Sequence, residues 1–263
     1  MITNATGDRE SSAVRAFQNG LLGVAYHNTC AVLTTAKVRC WGTGTFGRTG
    51  YNSTANVGDG IGPSIVTAGD VPIGGDVVAV SGGGAHSCAL LTTGKVRCWG
   101  RGDDGQLGHN SFANVGDGVG PSIMAAGDVP IGGDAVAITA GGAHTCALLT
   151  TGKVRCWGHG SSGELGHGST ANIGDGTGQS ITTAGDVPIG GDTIAIAAGF
   201  SHTCALLTTG KVRCWGLGTF GRLGYNGTAN VGDGVGQSIM TAGDVPIGAD
   251  AVAVSAANGN TCA

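Results

Sequence analysis

The stretch HTCALLTTGKVRCWGHGSSGELGHG occupies residues 144–168, and close copies of it recur along the chain. One copy, HSCALLTTGKVRCWGRGDDGQLGHN, begins at residue 86, and another, HTCALLTTGKVRCWGLGTFGRLGYN, begins at residue 202. The starting points are 58 residues apart, and the tryptophans keep the same interval at Trp41, Trp99, Trp157 and Trp215. A fixed period of this length is typical of solenoids, propellers and arrays. The sequence is therefore predicted to form a repeat protein.

Each unit carries the pattern of several short strands. The run HTCALL and the run KVRCWG lie on either side of Thr151 and Gly152, which predicts a hairpin with glycine at the positive-φ position of the turn. Upstream, residues 134–140 alternate apolar with small or polar side chains, as a half-buried strand does. Downstream, the tetrapeptide DVPI is predicted to be a fourth strand at a sheet edge, because Pro188 cannot donate a ladder hydrogen bond.

Four antiparallel strands in 58 residues correspond to one blade of a β-propeller. The predicted fold is all-β, with four four-stranded blades arranged as an open arc. The predicted boundaries are an N-terminal extension at 1–17, blades at 18–75, 76–133, 134–191 and 192–249, and the start of a fifth repeat at 250–263. Residues 18–29 and 250–260 fall in the same slot of their repeats, so the two ends duplicate each other. We therefore expect the chain to be part of a longer protein.

The 25-residue copies resemble the repeat of the regulator-of-chromosome-condensation family. Each has a histidine before a strand, a turn glycine, Trp-Gly, and then spaced glycines closing on Leu-Gly. The resemblance implies a seven-bladed propeller, of which this chain would hold four blades. It also implies, as one alternative function, guanine-nucleotide exchange on a small GTPase with chromatin association. In the family's namesake an inserted wedge acts on the GTPase, whereas the units here have equal lengths.

Composition narrows the classes of function. The chain has 54 glycines in 263 residues, only 11% charged residues and a net charge of −4. With no basic tail or stripe, direct nucleic-acid binding is not predicted, and with no run of 18 apolar residues neither is membrane insertion. No nucleophile, base and orienting acid converge in the pattern, so the protein is predicted to be non-enzymatic and to need no cofactor.

The cysteines allow three interpretations. Eight of them recur in pairs ten residues apart, at Cys30 and Cys40, Cys88 and Cys98, Cys146 and Cys156, and Cys204 and Cys214, while Cys262 is left over. A three-residue hairpin loop would place the members of each pair opposite each other, which favours cross-strand disulfides. Reduced, buried cysteine is the second interpretation.

Metal binding is the third interpretation of the cysteines. His86 and Cys88 share a strand face, and Cys98 could complete three ligands. Against a metal, Asn28 and Asn260 occupy the slot that His86, His144 and His202 fill, so a packing role is favoured for the histidines. Calcium is not predicted either, because Asp117 supplies one carboxylate where a calcium loop supplies several.

Differences between the repeats collect just after the tryptophans. There the units read TGTFGRTGYN, RGDDGQLGHN, HGSSGELGHG and LGTFGRLGYN, so charge and aromaticity change within a constant scaffold. The candidate partner-binding residues are Phe46, Arg48, Tyr51, Arg101, Asp103, Asp104, His159, Glu164, Phe220, Arg222 and Tyr225. Aromatic residues and arginine are common interface anchors, although neutral drift on a solvated loop would give the same variation.

The variable loops favour a scaffold that binds another protein of unknown identity. We expect the partner-binding residues to be exposed along one rim of the propeller. Remaining blades of a longer parent chain are a second kind of partner that the repeat pattern allows. Besides nucleotide exchange, a disulfide-stabilised structural protein of the surface stays open as an alternative.

Overall fold

The computed structural model describes residues 20–263, so the predicted extension at 1–17 lies outside the described residues. It contains four antiparallel three-stranded sheets and a final two-stranded sheet, each with its strands in chain order. The strands are β1 Leu22–Val24, β2 Asn28–Val32, β3 Val38–Gly42, β4 Val77–Gly82, β5 His86–Leu91, β6 Val96–Gly100, β7 Ala135–Ala140, β8 His144–Leu149, β9 Val154–Gly158, β10 Thr193–Ala198, β11 His202–Leu207, β12 Val212–Gly216, β13 Ser255–Ala256 and β14 Thr261–Cys262.

A four-residue α-helix lies beyond the third strand of each blade, and blades one and four also have a single 3-10 turn. The helices are Ile65–Ala68, Ile123–Ala126, Ile181–Ala184 and Ile239–Ala242, and the 3-10 turns are Thr45–Gly47 and Thr219–Gly221. A serine caps each helix; in the second blade the Ser122 hydroxyl accepts a hydrogen bond from the Ala125 amide. None of the helices within residues 20–263 is long and apolar enough to cross a membrane.

The hairpin between the second and third strands has a three-residue loop. In the third blade the Leu149 amide donates to the Lys153 carbonyl at 2.8 Å, and the Gly152 amide donates to the Leu149 carbonyl at 3.0 Å. Gly152 has a φ of 75°, as the turn chemistry predicts. Ala36 occupies this position in the first blade and takes a φ of 59°, which is strained for a residue with a Cβ.

Replacement of Ala36 by glycine is expected to raise the free energy of unfolding by about 1 kcal/mol, because the left-handed strain disappears. Urea denaturation followed by tryptophan fluorescence measures the change. The matched control is Gly152→Ala, which introduces the same strain into the third blade and should lower the free energy by a similar amount. An unchanged or lower stability of Ala36→Gly would contradict the strain.

The predicted fourth strand does not form, and each described blade has three strands. Val71 donates one backbone hydrogen bond to Val38 of β3 at 2.8 Å, and the Ile73 amide then turns back to the Val71 carbonyl at 2.8 Å. Pro72 lies at the centre of this three-residue turn, where its fixed φ fits and its missing N–H ends the ladder. The DVPI segment therefore covers the edge of β3 without extending the sheet.

The blades stack through fully buried tryptophans. Trp99, Trp157 and Trp215 have no exposed surface, and each indole N–H donates to a backbone carbonyl of the preceding blade. The acceptors are the carbonyls of Arg48 at 3.0 Å, Gln106 at 3.0 Å and Glu164 at 2.9 Å. Buried indole is stabilised by such a partner, so one constant residue fixes the spacing of adjacent blades.

Histidine and threonine form a second contact between blades. His86 Nε2 lies 2.9 Å from Thr145 Oγ1 of the next blade. Because the Thr145 hydroxyl itself donates to the Gln106 carbonyl at 2.9 Å, it accepts from an Nε2–H of the histidine. The same contact joins His144 to Thr203 and His202 to Thr261. The histidines therefore have a packing and hydrogen-bonding role.

The four blades form an open arc. Within residues 20–263 no strand pairing joins the first sheet to the last. The turns that follow the first strand of each sheet approach each other across the concave side of the arc. There the Asn258 side-chain amide donates to the Tyr26 hydroxyl at 3.3 Å. The Tyr26 ring also meets the Phe200 ring edge-on, with centroids 6.0 Å apart. Two side-chain contacts thus join the first blade to the last part of the chain without closing a sheet.

Candidate protein-interaction rim

Four equivalent loops follow the third strands of the blades. We call them the rim loops and define them as residues 43–52, 101–110, 159–168 and 217–226. Each begins directly after a glycine of positive φ, such as Gly42 at 106°, so the chain leaves the sheet by a sharp turn. The rim loops contain all the predicted partner-binding residues.

Arg48 and Glu164 are not exposed, which corrects the prediction that both would lie on the binding surface. Arg48 is 5% exposed and Glu164 is 2% exposed. They share one slot with Gln106 and Arg222, and the carbonyl of this slot receives the tryptophan of the next blade. Trp99, Trp157 and Trp215 cover Arg48, Gln106 and Glu164, respectively. Arg222 is half-buried, and no tryptophan within residues 20–263 donates to its carbonyl.

The residue in this slot decides how the rim loop turns. Gln106 and Glu164 accept hydrogen bonds from the amides of Asp104 and Ser162, at 2.8 and 2.7 Å. Arginine has no acceptor atom, and Arg48 instead donates from Nε to the Thr45 carbonyl at 3.0 Å.

The Thr45 carbonyl belongs to the same peptide group as the Phe46 amide, and the Asp104 amide belongs to the equivalent peptide group of the second blade. This peptide group therefore points in opposite directions in the two kinds of rim loop, those with arginine at the slot (blades one and four) and those with glutamine or glutamate there (blades two and three). The reversal places Phe46 at a φ of 64°, and Phe220, beside Arg222 in the fourth blade, at 60°. A bulky side chain at positive φ is a genuine outlier. The two rim loops that have arginine in place of glutamine or glutamate are thus the two that carry an exposed phenylalanine with a strained backbone.

Phe46 forms a cluster with two arginines at the junction of blades one and two. The guanidinium carbons of Arg48 and Arg101 lie 5.6 and 5.5 Å from the ring centroid. Burial lowers the pKa of Arg48, and the nearby charge of Arg101 lowers it further. Asp103 binds Arg101 through two hydrogen bonds. In the fourth blade Arg222 stands 6.0 Å from the ring of Phe220, which is 93% exposed.

The third blade carries an acid and base pair in place of the aromatic cluster. His159 Nδ1 lies 3.0 Å from Glu164 Oε1. The hydrogen bond that the His159 imidazole donates to the Glu164 carboxylate raises the pKa of His159. Burial alone would raise the pKa of Glu164, but the hydrogen bonds and charges around it outweigh burial and lower it. The Ser161 hydroxyl approaches the same Nδ1 atom at 3.4 Å. In a catalytic triad the serine and the acid contact different nitrogens of the histidine ring, so these three residues do not have the geometry of a triad.

Tyr51 and Tyr225 attach their rim loops to the blade. The Tyr51 hydroxyl accepts from the Cys40 amide at 3.2 Å and donates to the Gly69 carbonyl at 3.0 Å. Tyr225 makes the same contacts with Cys214 and Gly243. Both rings are half-buried, and burial raises the pKa of both phenols. The side chains that the structure leaves most available to a partner are Phe46, Arg101, Asp103, Asp104, His159, Phe220 and Arg222.

The paired cysteines form disulfides. The register of each hairpin places the two cysteines directly opposite each other, and bonds join Cys30–Cys40, Cys88–Cys98, Cys146–Cys156 and Cys204–Cys214. Because Cys88 and Cys98 are bonded to each other, they do not form a metal site with His86. Among residues 20–263 no group of three or more histidine, cysteine or acidic side chains has the arrangement of a metal site.

Comparison with known proteins agrees with this architecture. A sequence model described as "Regulator of chromosome condensation (RCC1) repeat" matches residues 77–106, 135–164 and 194–222, and a second model with this description matches residues 93–148. The chain belongs to the RCC1 repeat family. The expected resemblance is thereby confirmed, and the three-stranded sheets are blades of an RCC1 β-propeller.

Relatives of the chain include much larger proteins. The human E3 ubiquitin-protein ligase HERC2 is 35% identical over 210 residues, which are 75% of this chain and 4% of the ligase. The Arabidopsis thaliana ultraviolet-B receptor UVR8 is 37% identical over 157 residues, 58% of this chain and 32% of the receptor.

A crystal structure of Prp20p from Saccharomyces cerevisiae superimposes with a TM-score of 0.62 at 19% identity, over 90% of this chain and 53% of that one. The sequence identity is low, so this likeness concerns the fold. The chain spans less than two thirds of the length of each of these proteins.

Proposed function

We propose that this chain is a non-enzymatic scaffold that binds another protein through its rim loops. The observation that carries the proposal is the exposed phenylalanine at positive φ in blades one and four. Glycine occupies positive φ without strain, so an aromatic residue there lowers the stability of the fold, and Phe220, which is 93% exposed, buries almost no surface in return. Strained residues of this kind cluster at binding sites. An exposed aromatic ring beside an arginine also has the composition of an interface anchor.

The charges of the rim loops support selection of one partner. The loop of blade four presents Phe220 with Arg222, and the loop of blade one presents Phe46, whereas blade two presents Arg101, Asp103 and Asp104. Complementary charge steers association and excludes wrong partners more than it raises affinity. The partner that fits is a protein with acidic groups facing Arg222 of blade four and basic groups facing the acidic side chains of blade two.

The relatives support a protein as the partner. Prp20p from Saccharomyces cerevisiae, whose structure superimposes on this chain, binds Gsp1p and histones. Both are properties of Prp20p, and for this chain they favour protein recognition as the class of function. Guanine-nucleotide exchange on a small GTPase is a more specific alternative, and no feature of residues 20–263 favours it in particular.

The test compares capture of binding proteins by the native chain and by Phe46→Gly and Phe220→Gly variants. Loss of the rings is expected to reduce recovery of a specific partner at least tenfold at physiological salt, and Phe220→Gly should leave the free energy of unfolding unchanged or raised. Ile61→Gly is the matched control for Phe220→Gly, since Ile61 is as exposed as Phe220 but lies outside the rim loops. Equal recovery by all variants would leave neutral drift as the explanation of the variable loops.

A further inference from the structure

The first and fourth rim loops each end in an asparagine that begins the acceptor motif for N-linked glycosylation. The motif is asparagine, any residue except proline, and then serine or threonine. Within residues 20–263 it occurs twice, at residues 52–54 as NST and at residues 226–228 as NGT. A further copy, which begins at Asn4, lies outside the described residues. The two described copies fall in the same slot of their repeats.

Both copies of the motif are accessible from solvent. The asparagine and the threonine of each copy are exposed. The nearby Asn56 side chain is engaged, because its Oδ1 accepts from the Gly44 amide at 3.1 Å and its Nδ2 donates to Asp59 at 2.9 Å. Within residues 20–263 the Asn52 side-chain amide has no such partner, so it is available for modification while Asn56 holds the loop.

The backbone accounts for part of the motif only. Asn52 and Asn226 have φ angles of 55° and 56°, and the slot holds Gly168 at 65° in the third blade. Asparagine and glycine are the residues that enter the left-handed region most readily, so the turn explains why one of them is present. It does not require a threonine two residues later, since Phe112 occupies that position in the second blade.

The slot remains exposed where a blade packs on either side of it. Asn110 occupies the slot in the second blade and is exposed. The following blade approaches the backbone there, because a methyl group at Gly176 would lie 2.5 Å from the Asn110 carbonyl oxygen. The second blade approaches Asn52 in the same way, with a methyl group at Gly118 placed 2.9 Å from its carbonyl oxygen. Packing of the next blade therefore leaves the side chain of this slot in solvent.

The hairpin disulfides favour a compartment in which such motifs are modified. Each of the four described hairpins is closed by a disulfide. Bonds of this kind persist in secreted and surface proteins and are rare in the cytosol, where thiols are kept reduced. The glycosylation motif acts as an acceptor in surface loops of secreted proteins. The cysteines and the exposed asparagines, which lie in different elements, thus favour the same environment independently.

We propose that Asn52 and Asn226 carry N-linked oligosaccharides. The donor is an oligosaccharide attached to a polyprenyl pyrophosphate, and a transferase acts on the exposed motif. The asparagine Nδ2 forms a bond to the anomeric carbon of the sugar, and the bond from that carbon to the pyrophosphate oxygen breaks. The polyprenyl pyrophosphate leaves with the electron pair, and the amide loses one proton to a base, so nothing is oxidised or reduced.

Peptide mass spectrometry of the chain, purified from the cells that produce it, tests the proposal. Treatment with peptide-N-glycosidase in isotope-labelled water converts a glycosylated asparagine to labelled aspartate, which distinguishes it from earlier deamidation. We expect the label at Asn52 and Asn226 in most molecules and no label at Asn110, which lacks the threonine. Unmodified asparagine at both positions 52 and 226 would overturn the proposal. The result is independent of the proposed partner binding, because it is measured on the asparagine itself.

Substitutions in the motif provide matched controls. Thr54→Val removes the hydroxyl with little change in shape and should abolish the label at Asn52 while leaving it at Asn226. Phe112→Thr completes the motif at Asn110 and should create a labelled site in the second blade. Circular dichroism verifies that both variants are folded. A label that persists at Asn52 in the Thr54 variant would show that the motif does not direct the modification and would refute the proposal.

Discussion

Reduction of the four hairpin disulfides is expected to lower the free energy of unfolding by about 11 kcal/mol in total. Each bond joins cysteines ten residues apart, and closure of so short a loop accounts for about 2.7 kcal/mol in the chain-entropy treatment. Domains are typically stable by only about 5–15 kcal/mol. The reduced chain should therefore be unfolded or nearly so at room temperature.

Urea titration of tryptophan fluorescence, with and without a strong thiol or phosphine reductant, measures this loss. The double variant Cys88→Ala and Cys98→Ala should show about a quarter of it. Cys262→Ser is the control, since Cys262 is free and exposed, and it should behave as the native chain in both conditions. A reduced protein with an unchanged urea midpoint would mean that packing between blades is sufficient without the bonds.

Acid is expected to destabilise the protein between pH 6.5 and 4.5 through its buried histidines. Burial lowers the pKa of His86 to about 3 and of His144 to about 4, and the neighbouring charges of each make smaller contributions. In the unfolded chain the histidines take up protons near pH 6.5, while the folded blades keep them neutral. Stability is therefore present above pH 6.5 and falls by roughly 2 kcal/mol for each histidine as the pH drops to 4.5.

The chain itself suggests the control for this acid effect. Asn28 fills the histidine slot of the first blade and donates to Ser87 Oγ at 3.3 Å. A variant with asparagine at positions 86, 144 and 202 should lose most of the pH dependence of its free energy of unfolding over this window. His159 acts in the opposite direction, because its pKa is raised by Glu164, and it remains in both proteins. An equal acid response of the two proteins would assign the effect to other groups.

Local sequence patterns predicted the hairpins well. Opposed cysteines, a three-residue loop and a left-handed turn position all follow from contacts within about ten residues, and Ala36 shows that the backbone keeps its turn even without glycine. The number of blades was predicted from the 58-residue period. The hairpin features could be predicted because they depend on residues close together in the sequence.

Contacts between blades were harder to predict. The DVPI run has the composition of a strand, but Pro72 turns it after a single hydrogen bond. Arg48 and Glu164 vary in charge as surface residues do, yet the tryptophan of the next blade covers them. Variation between the repeats did not predict exposure at this slot. The tryptophan of the next blade binds the backbone carbonyl of the slot, so the contact persists while the side chain differs.

The hydrogen bonds between blades have a consequence for the folding kinetics. Apart from the pair of Asn258 with Tyr26, their partners are separated by 24 to 64 residues, as in Arg97 with Ile73 and Gly168 with Gly232, so each blade orders against its immediate neighbour. A chain of this kind has no single obligatory nucleus, since folding can begin in any blade and propagate in both directions. Amide exchange should accordingly be slow in the second and third blades, each of which packs on a blade at either side within residues 20–263.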